Sequence, residues 1–336
     1  MSMLARLTNV VHQALQSGAY AGAIWLEGSP FVEETIYWLN LLINTTVPIV
    51  GISSQRAHGA VGNDGDRNIV DSVDYITSKI WADEGGRDFI GAVAILDEQI
   101  FTSRDLQKAD ARPGGYIATG GHGGIIGRMG RLDAPQFSFR TIKRHTHNSA
   151  LNLTQLAQSV QGTRIQGSRV GTIDVPIKDA SSRLLATAIP TVTIAKHARY
   201  LPDDTSGEGA GDVDIMARIE NNLRNAPLAG FIAEGSAPFG AMGDSVSAAL
   251  KRATFSGMPV VKVGRGNASG FVDPNRDPLA IAGSNLTATK ARLLLMACLM
   301  RFGCLPPAAD PAKPTLAETN AVQAKLRQYQ EVFDTH

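Results

Sequence analysis

The hydrophobic pattern along the chain alternates between helical and strand-like segments. Apolar residues recur at helical spacing over residues 3–17, and a compact β-branched run follows at residues 47–52. The predicted helices cover residues 3–17, 33–44, 67–81, 210–225, 244–255 and 287–302, and the predicted strands cover residues 21–26, 47–52, 91–96, 191–195, 228–233 and 259–263. Helices that alternate with strands through short connections are typical of a parallel sheet covered on both faces.

The middle of the chain lacks this alternation. Residues 145–188 are rich in polar and small side chains, so we interpret them as loop or irregular β structure. A length of 336 residues exceeds the size at which a single hydrophobic core usually stops growing. The sequence therefore predicts an α/β fold with a larger doubly wound parallel-sheet domain at residues 1–150, a linker or insertion at residues 151–188, and a smaller α/β domain at residues 189–336.

Charge and composition narrow the classes of function. The chain has 32 basic and 31 acidic residues, a formal charge of +1, so it has no field that attracts nucleic acid or an acidic membrane surface. No apolar run reaches the roughly 18 residues that a membrane span needs, and residues 1–16 lack the pattern of a signal peptide. We expect a cytoplasmic protein, although an export signal on a longer precursor would not be visible here. The two cysteines, Cys298 and Cys304, are expected to be buried.

The first candidate for chemistry is the turn after the predicted strand at residues 21–26. There the apolar run ends, and Gly28 and Ser29 precede a helical pattern. This order places a small hydroxyl side chain at the carboxyl end of a strand, where open α/β sheets collect their ligands. The alternative is structural, because a serine in this position is also a common helix cap.

Two other signals are weak. His145 and His147 are two residues apart, a spacing that is more often structural than metal-binding, and we expect no metal site and no cofactor. A glycine-rich loop at residues 264–270 lacks the downstream lysine and hydroxyl of a P-loop. On this loop alone, a phosphate-dependent α/β enzyme is the weakest of the three functions that we consider.

Several short motifs, taken in their order along the chain, resemble the bacterial-type asparaginase and glutaminase family. The turn Gly28-Ser29-Pro30-Phe31, followed by Glu33-Glu34-Thr35, resembles the Gly-Thr-Asp-Thr turn of that family and the Glu-Glu-Thr start of its helix. Further matching segments lie at residues 48–51, 63–68, 103–108, 259–261 and 286–292. The resemblance covers most of the chain, but residues 155–188 have no counterpart in it.

The resemblance implies hydrolysis of an amide through a covalent acyl-enzyme, with a hydroxyl nucleophile that needs a base. Ser29 falls where the family has its second threonine, and Lys108 falls at its lysine, so these two are the predicted catalytic residues. The structural alternatives are a helix cap for Ser29 and a solvated loop charge for Lys108. The family builds each site between two subunits, which implies a homodimer or homotetramer, with a small-molecule amide as the partner.

The departures from the family pattern affect the substrate end of the site. Pro30 stands where the family has an aspartate that holds the α-ammonium group of the substrate, and a proline side chain carries no charge. In the loop Glu234-Gly235-Ser236-Ala237-Pro238-Phe239, Ala237 or Pro238 takes the place of an asparagine of the family. We therefore expect Gly28, Pro30, Ser236 and Pro238 to line the substrate site. The expected substrate lacks the α-ammonium group and is not free asparagine.

The largest departure is at the start of the chain. The family begins with a strand ending in Thr-Gly-Gly-Thr, whose last threonine is the usual nucleophile, and nothing before Ala21 matches it. Either a preceding segment of the natural protein carries this strand, which we favour, or the sheet is rearranged. The sequence predicts an asparaginase-like amidohydrolase. The alternative is a catalytically weakened member of the same family that binds a small ligand or serves as a scaffold.

Overall fold

The computed structural model describes residues 2–119, 124–130, 133–167, 169–197, 212–237, 239–265, 272–273 and 277–336. They form two compact units, one of residues 7–154 with residue 336 (the N-terminal unit) and one of residues 1–6 with residues 155–335 (the C-terminal unit). No helix in these described ranges is long and apolar enough to cross a membrane. The predicted domain limits at residues 150 and 188 stay predictions.

The N-terminal unit is built on a six-stranded sheet of order β1-β2-β3-β4-β7-β8, beside a separate hairpin of β5 and β6. Its helices are α1 (Ser2–Gln16, from Leu7 onward in this unit), α2 (Val32–Leu42) and α3 (Gly65–Ser78), and its strands are β1 (Ala23–Leu26), β2 (Ile49–Ile52), β3 (Val93–Leu96), β4 (Gln99–Thr102), β5 (Leu106–Lys108), β6 (Tyr116–Ala118), β7 (Ile125–Arg128) and β8 (Gln136–Phe137). The first three strands of the sheet are parallel, and the others pair antiparallel.

Period-two alternation in the strands places helices on both faces of this sheet. Val93 and Ile95 belong to the core that also contains Tyr75 of α3, whereas Ala94 packs with Val32 of α2. A methyl group at Gly51 would lie 3.1 Å from Ile36, so glycine lets α2 approach the sheet closely. The α/β class with parallel strands is confirmed, and the antiparallel half of the sheet was not predicted.

The C-terminal unit has a second, four-stranded parallel sheet of order β11-β12-β13-β14. Its elements are β9 (Ser159–Gln166), β10 (Arg169–Pro176), β11 (Thr191–Lys196), α4 (Val213–Asn225), β12 (Ala229–Gly235), α5 (Asp244–Phe255), β13 (Val260–Gly264), β14 (Ile281–Ala282), α6 (Ala288–Phe302) and α7 (Leu316–Thr335). Helices α4 and α5 share one core with the sheet. The larger sheet thus belongs to the N-terminal unit and the smaller one to the C-terminal unit.

Two sequence interpretations need correction in the C-terminal unit. Residues 159–166 and 169–176 form a regular antiparallel pair of strands with eight paired positions, so the prediction of loop or irregular β structure was wrong there. Helix α7 was not predicted. Its Gln330 side chain accepts the Ala282 N–H (2.8 Å) and donates to the Ala282 carbonyl (3.2 Å), and thereby satisfies backbone groups on β14.

The structure also describes one end of α6 and both cysteines. Thr287 caps α6 by accepting the Lys290 N–H, and Cys298 and Cys304 are buried free thiols. Most of the glycine-rich loop at residues 264–270 lies outside the described residues. The described residues contain no group of three or more histidine, cysteine, aspartate or glutamate side chains that could hold a metal ion.

Two buried titratable side chains in the N-terminal unit, Asp88 and His145, are expected to change the free energy of unfolding with pH in opposite directions. Burial raises the pKa of Asp88 to about 7, partly offset by hydrogen bonds from the Ile90 and Gly91 N–H groups. Burial also lowers the pKa of His145 to about 4, with a further contribution from His147. Between pH 4 and 7, Asp88 stays protonated in the native state but is ionised in the unfolded chain. Its contribution to the free energy of unfolding therefore falls as pH rises from 4 to 7. Between pH 6.5 and 4, His145 is protonated in the unfolded chain but neutral in the native state. Its contribution to the free energy of unfolding therefore falls as pH falls from 6.5 to 4.

We therefore expect the contributions of Asp88 and His145 to the pH dependence of the free energy of unfolding to oppose each other between pH 4 and 7. Asp88→Asn removes the Asp88 contribution, so from pH 7 to pH 4 its free energy of unfolding should fall by roughly 3 kcal/mol more than that of the wild type. Urea unfolding at four pH values measures both profiles, and the exposed Asp74 provides a matched control, Asp74→Asn. Parallel profiles for Asp88→Asn and the wild type would contradict the assignment.

Candidate active site

The turn that links β1 to α2 presents Ser29 at the carboxyl end of the parallel strands. The Phe31 N–H donates to the Gly28 carbonyl (3.0 Å) and closes a turn whose central residues are Ser29 and Pro30. Helix α2 has Phe31 as its N-cap residue, and no side chain caps it. The helix-cap alternative for Ser29 is therefore wrong, and its hydroxyl is available for another contact.

That contact is with Lys108. The Lys108 Nζ lies 2.5 Å from the Ser29 Oγ, although 79 residues separate them along the chain. Lys108 is the last residue of β5 and is half-buried, so the alternative of a solvated loop charge is also wrong. Its backbone N–H donates to the Glu33 carboxylate at the start of α2, which ties β5 to the helix that follows Ser29.

The Ser29 carbonyl is held as well. Tyr116 on β6 donates its hydroxyl hydrogen bond to this carbonyl (2.8 Å), and the Ser53 Oγ lies 2.7 Å from the same tyrosine oxygen. Burial raises the pKa of Tyr116, so its phenol stays protonated and can donate. The Ser53 carbonyl in turn accepts a hydrogen bond from the buried Asn68 amide (2.8 Å).

The loop after β2 is organised around Asp64. Its carboxylate accepts hydrogen bonds from the Ser54 hydroxyl (2.8 Å) and from the backbone N–H groups of Gln55 and Arg56 (both 3.0 Å). Burial would raise the pKa of Asp64, but these hydrogen bonds outweigh it and lower the pKa. The Asp64 carboxylate thus shapes the loop that follows Ser53.

The segment before Lys108 is fixed by Arg104. This buried guanidinium binds Asp105 (2.8 Å) and donates from Nε to the His336 carbonyl (3.0 Å). The Thr102 hydroxyl also donates to the Asp105 carboxylate (2.8 Å). These contacts set where β5 begins and therefore where Lys108 lies.

The other predicted site residues stand as follows. Gly28 and Pro30 flank Ser29 and are exposed, and Pro30 brings no polar side chain to the turn. Ser236 lies in the C-terminal unit just after β12, where its N–H donates to the Ala241 carbonyl (2.9 Å). Pro238 lies outside the described residues. The grouping of Ser236 and Pro238 with Ser29 stays a prediction.

Comparison with known proteins shows what this chain is similar to. A family model described as the N-terminal part of asparaginase matches residues 1–125. A glutaminase-asparaginase from Acinetobacter glutaminasificans is 27% identical over 169 residues, 50% of this chain and 46% of that protein. L-asparaginase 2 from Bacillus subtilis strain 168 is 23% identical over 302 residues, 89% of this chain and 66% of that protein. Over residues 1–125 the chain matches the asparaginase family model, and it is similar to these two relatives over longer stretches.

A solved structure shares the fold. The crystal structure of a probable cytoplasmic L-asparaginase from Campylobacter jejuni superposes with a TM-score of 0.69 at 20% identity, covering 100% of this chain and 86% of that one. In the curated relatives the alignments span about half to two thirds of the other protein's length. Within the described residues, β1 hydrogen-bonds to one neighbouring strand, β2, and its Leu26 side chain is 66% exposed.

Reasoning from the sequence did not identify Tyr116, Ser53 or Glu33 as neighbours of Ser29. The sequence could have indicated that Tyr116 lies near Lys108. Pro113-Gly114-Gly115, which lies between them, favours a turn that connects two short strands. Gly114 has a φ of +74°, which glycine adopts without strain. Ser53 and Glu33 carry no comparable signal, since their contacts join residues far apart in sequence.

Proposed function

We propose that this chain is an amide hydrolase in which Ser29 takes over the role of the family's usual threonine nucleophile and Lys108 is the base. The observation that carries the proposal is the 2.5 Å contact between the Lys108 Nζ and the Ser29 Oγ at the carboxyl end of β1. Pairing with an amine base activates a hydroxyl that is otherwise a weak nucleophile at neutral pH. The relatives are named for asparagine and glutamine, which both carry a side-chain amide.

The reaction balances with these two residues. The Ser29 Oγ bonds to the amide carbon while its proton passes to the neutral amine of Lys108, and the carbonyl electron pair moves onto oxygen. When the intermediate collapses, the C–N bond breaks and Lys108 returns the proton to the leaving nitrogen, which departs as ammonia. Water then attacks the ester, gives a proton to Lys108, and releases the acid while Ser29 regains its proton.

The side chains beside Ser29 support a substrate without an α-ammonium group. The turn offers Pro30 in place of a carboxylate, and the adjacent Phe31 is 61% exposed. Glu27 lies nearby in sequence, but its carboxylate accepts the Trp25 indole N–H (2.9 Å). A site bordered by proline and phenylalanine favours a more apolar amide than asparagine.

A matched pair of substrates tests this proposal. Succinamate is asparagine without its α-amino group, so the ratio of kcat/KM for the two reports whether the α-ammonium group is recognised. We expect ammonia release from succinamate or a more apolar primary amide at a kcat/KM at least about tenfold above that for asparagine, since a charged ammonium left unpaired in the site costs binding energy. Faster release from free asparagine would overturn the proposed substrate class.

The same assay separates the second candidate function. Pro30 removes a polar group from the turn, which favours a catalytically weakened member that binds a small ligand or serves as a scaffold. Absence of ammonia release from asparagine, glutamine and a panel of primary amides would favour that alternative. The cytoplasmic location and the homodimer or homotetramer stay predictions, and sedimentation of the purified chain measures the oligomeric state.

A further inference from the structure

The hairpin of β5 and β6 contacts two polar groups of Ser29, its side-chain hydroxyl and its backbone carbonyl. Lys108 and Tyr116 are directly opposite each other in the register of this antiparallel pair. Side chains at opposed positions of an antiparallel pair lie close together on the same face. From that face the Lys108 amine reaches the Ser29 hydroxyl, and the Tyr116 hydroxyl reaches the Ser29 carbonyl.

The direction of these hydrogen bonds follows from the number of protons. A carbonyl can only accept, so the single hydroxyl proton of Tyr116 points to the Ser29 oxygen. The Ser53 hydroxyl must then donate to the Tyr116 oxygen, 2.7 Å away. Asn68 holds the Ser53 carbonyl, and both Ser53 and Asn68 are buried. The chain of donors therefore runs from Ser53 through Tyr116 to Ser29.

Because Pro30 follows Ser29, the hydrogen bond from the Tyr116 hydroxyl to the Ser29 carbonyl determines the orientation of Ser29. The peptide group between Ser29 and Pro30 has no N–H, so its carbonyl is its only hydrogen-bonding group. The proline ring also restricts the ψ angle of the residue before it. The Tyr116 hydroxyl and the Pro30 ring together fix the peptide plane on one side of the Ser29 Cα, and with it the direction of the Cα–Cβ bond.

We infer that Tyr116, held by Ser53, is a positioning residue that aims the Ser29 hydroxyl at the Lys108 amine. This inference rests on the proposed function. Its hydroxyl contacts the backbone of Ser29 and not the Oγ, so it acts through Ser29. Near-attack geometry is sensitive to displacements of about 1 Å, which can cost about a hundredfold in rate.

Tyr116→Phe tests the inference because it removes only the hydroxyl. We expect kcat to fall between about tenfold and a hundredfold with KM changed less than about threefold, since a misaimed nucleophile slows the chemical step. Ser53→Ala should lower kcat in the same direction by a smaller factor. Its effect should vanish in the Tyr116→Phe background, because Ser53 acts only through the lost hydroxyl. The exposed Tyr20 gives the matched control, Tyr20→Phe, which should leave kcat unchanged.

A merely structural role of Tyr116 would leave kcat within about twofold of the wild type while lowering the melting temperature, and that result would overturn the inference. So would an effect of Ser53→Ala that persists in full in the Tyr116→Phe background. Crystal structures of the wild type and Tyr116→Phe give a readout independent of turnover: we expect the contact between Lys108 Nζ and Ser29 Oγ to lengthen beyond hydrogen-bond distance in the variant. If the wild type hydrolyses no amide, the proposed function fails, and an unchanged contact in the variant would separately refute the positioning role.

Discussion

Replacing Ser29 with alanine is expected to lower kcat/KM for the preferred amide by about a thousandfold or more. The variant removes the hydroxyl that lies 2.5 Å from the Lys108 amine, which is the proposed nucleophile. The backbone contacts of the turn remain, because Tyr116 bonds the Ser29 carbonyl and the Phe31 N–H bonds the Gly28 carbonyl. The fold should therefore survive the substitution. Ammonia release under single-turnover and steady-state conditions measures the loss.

Two further variants show that the loss belongs to the hydroxyl. Ser29→Thr keeps an oxygen nucleophile at the position where the family has threonine, and it should retain activity within about tenfold of the wild type. Ser181 is an exposed serine of the C-terminal unit, so Ser181→Ala should be neutral. Ammonia release by Ser29→Ala within tenfold of the wild type would show that the nucleophile is another residue.

Replacing Lys108 with methionine is expected to lower kcat by about a hundredfold to ten-thousandfold, the range that general acid–base catalysis contributes. Methionine keeps the length and the apolar part of the side chain but cannot accept the Ser29 proton. The Lys108 backbone N–H still donates to Glu33, so β5 keeps its tie to α2. Pre-steady-state formation of the acyl-enzyme reports the affected step directly.

Lys108→Arg separates proton transfer from simple positive charge. A guanidinium keeps the charge but does not take up a further proton, so this variant should lose as much activity as Lys108→Met. Lys313 is exposed and provides the control Lys313→Met, which should behave as the wild type. Activity of Lys108→Arg close to the wild-type value would mean that Lys108 only supplies charge, and the base would have to be sought elsewhere.

The elements that could be predicted from the sequence are those with a strong local signal. Strands β1 to β3 and helices α1 to α3 each have a clear apolar period, and all were predicted within a few residues of their observed limits. Strand β4 was missed because its hairpin with β3 turns through Asp97 and Glu98, with φ values of +53° and +61°. Such turns usually carry asparagine and glycine, and the signal that identifies them is absent here.

The hairpin at residues 159–176 and helix α7 were missed for different reasons. The hairpin exposes much of both strands, so its pattern is mostly polar and resembles a loop. Helix α7 does carry an amphipathic pattern, because its buried residues recur three to four positions apart: Val322, Leu326, Tyr329, Val332 and Phe333. That helix was therefore within reach of pattern reasoning.

The site was only partly accessible to sequence reasoning. Ser29 and Lys108 were named together because two motifs of one family occur in the expected order, and the structure places their side chains in contact. Their pairing depends on a fold that brings together residues far apart along the chain, which local patterns do not encode. The hydroxyl of Tyr116 was missed for the same reason. Its function depends on which carbonyl it reaches.

The position of the acyl group on the protein is the most direct test of the central claim. An activated ester of the preferred acid acylates the nucleophile faster than water removes the acyl group, so acid quenching after a brief incubation retains the intermediate. Digestion with trypsin and mass spectrometry then locate it. We predict that the peptide spanning residues 7–56 gains the mass of the acyl group and that fragmentation assigns it to Ser29. An acyl group on any other residue, with Ser29 unmodified during turnover, would contradict the account.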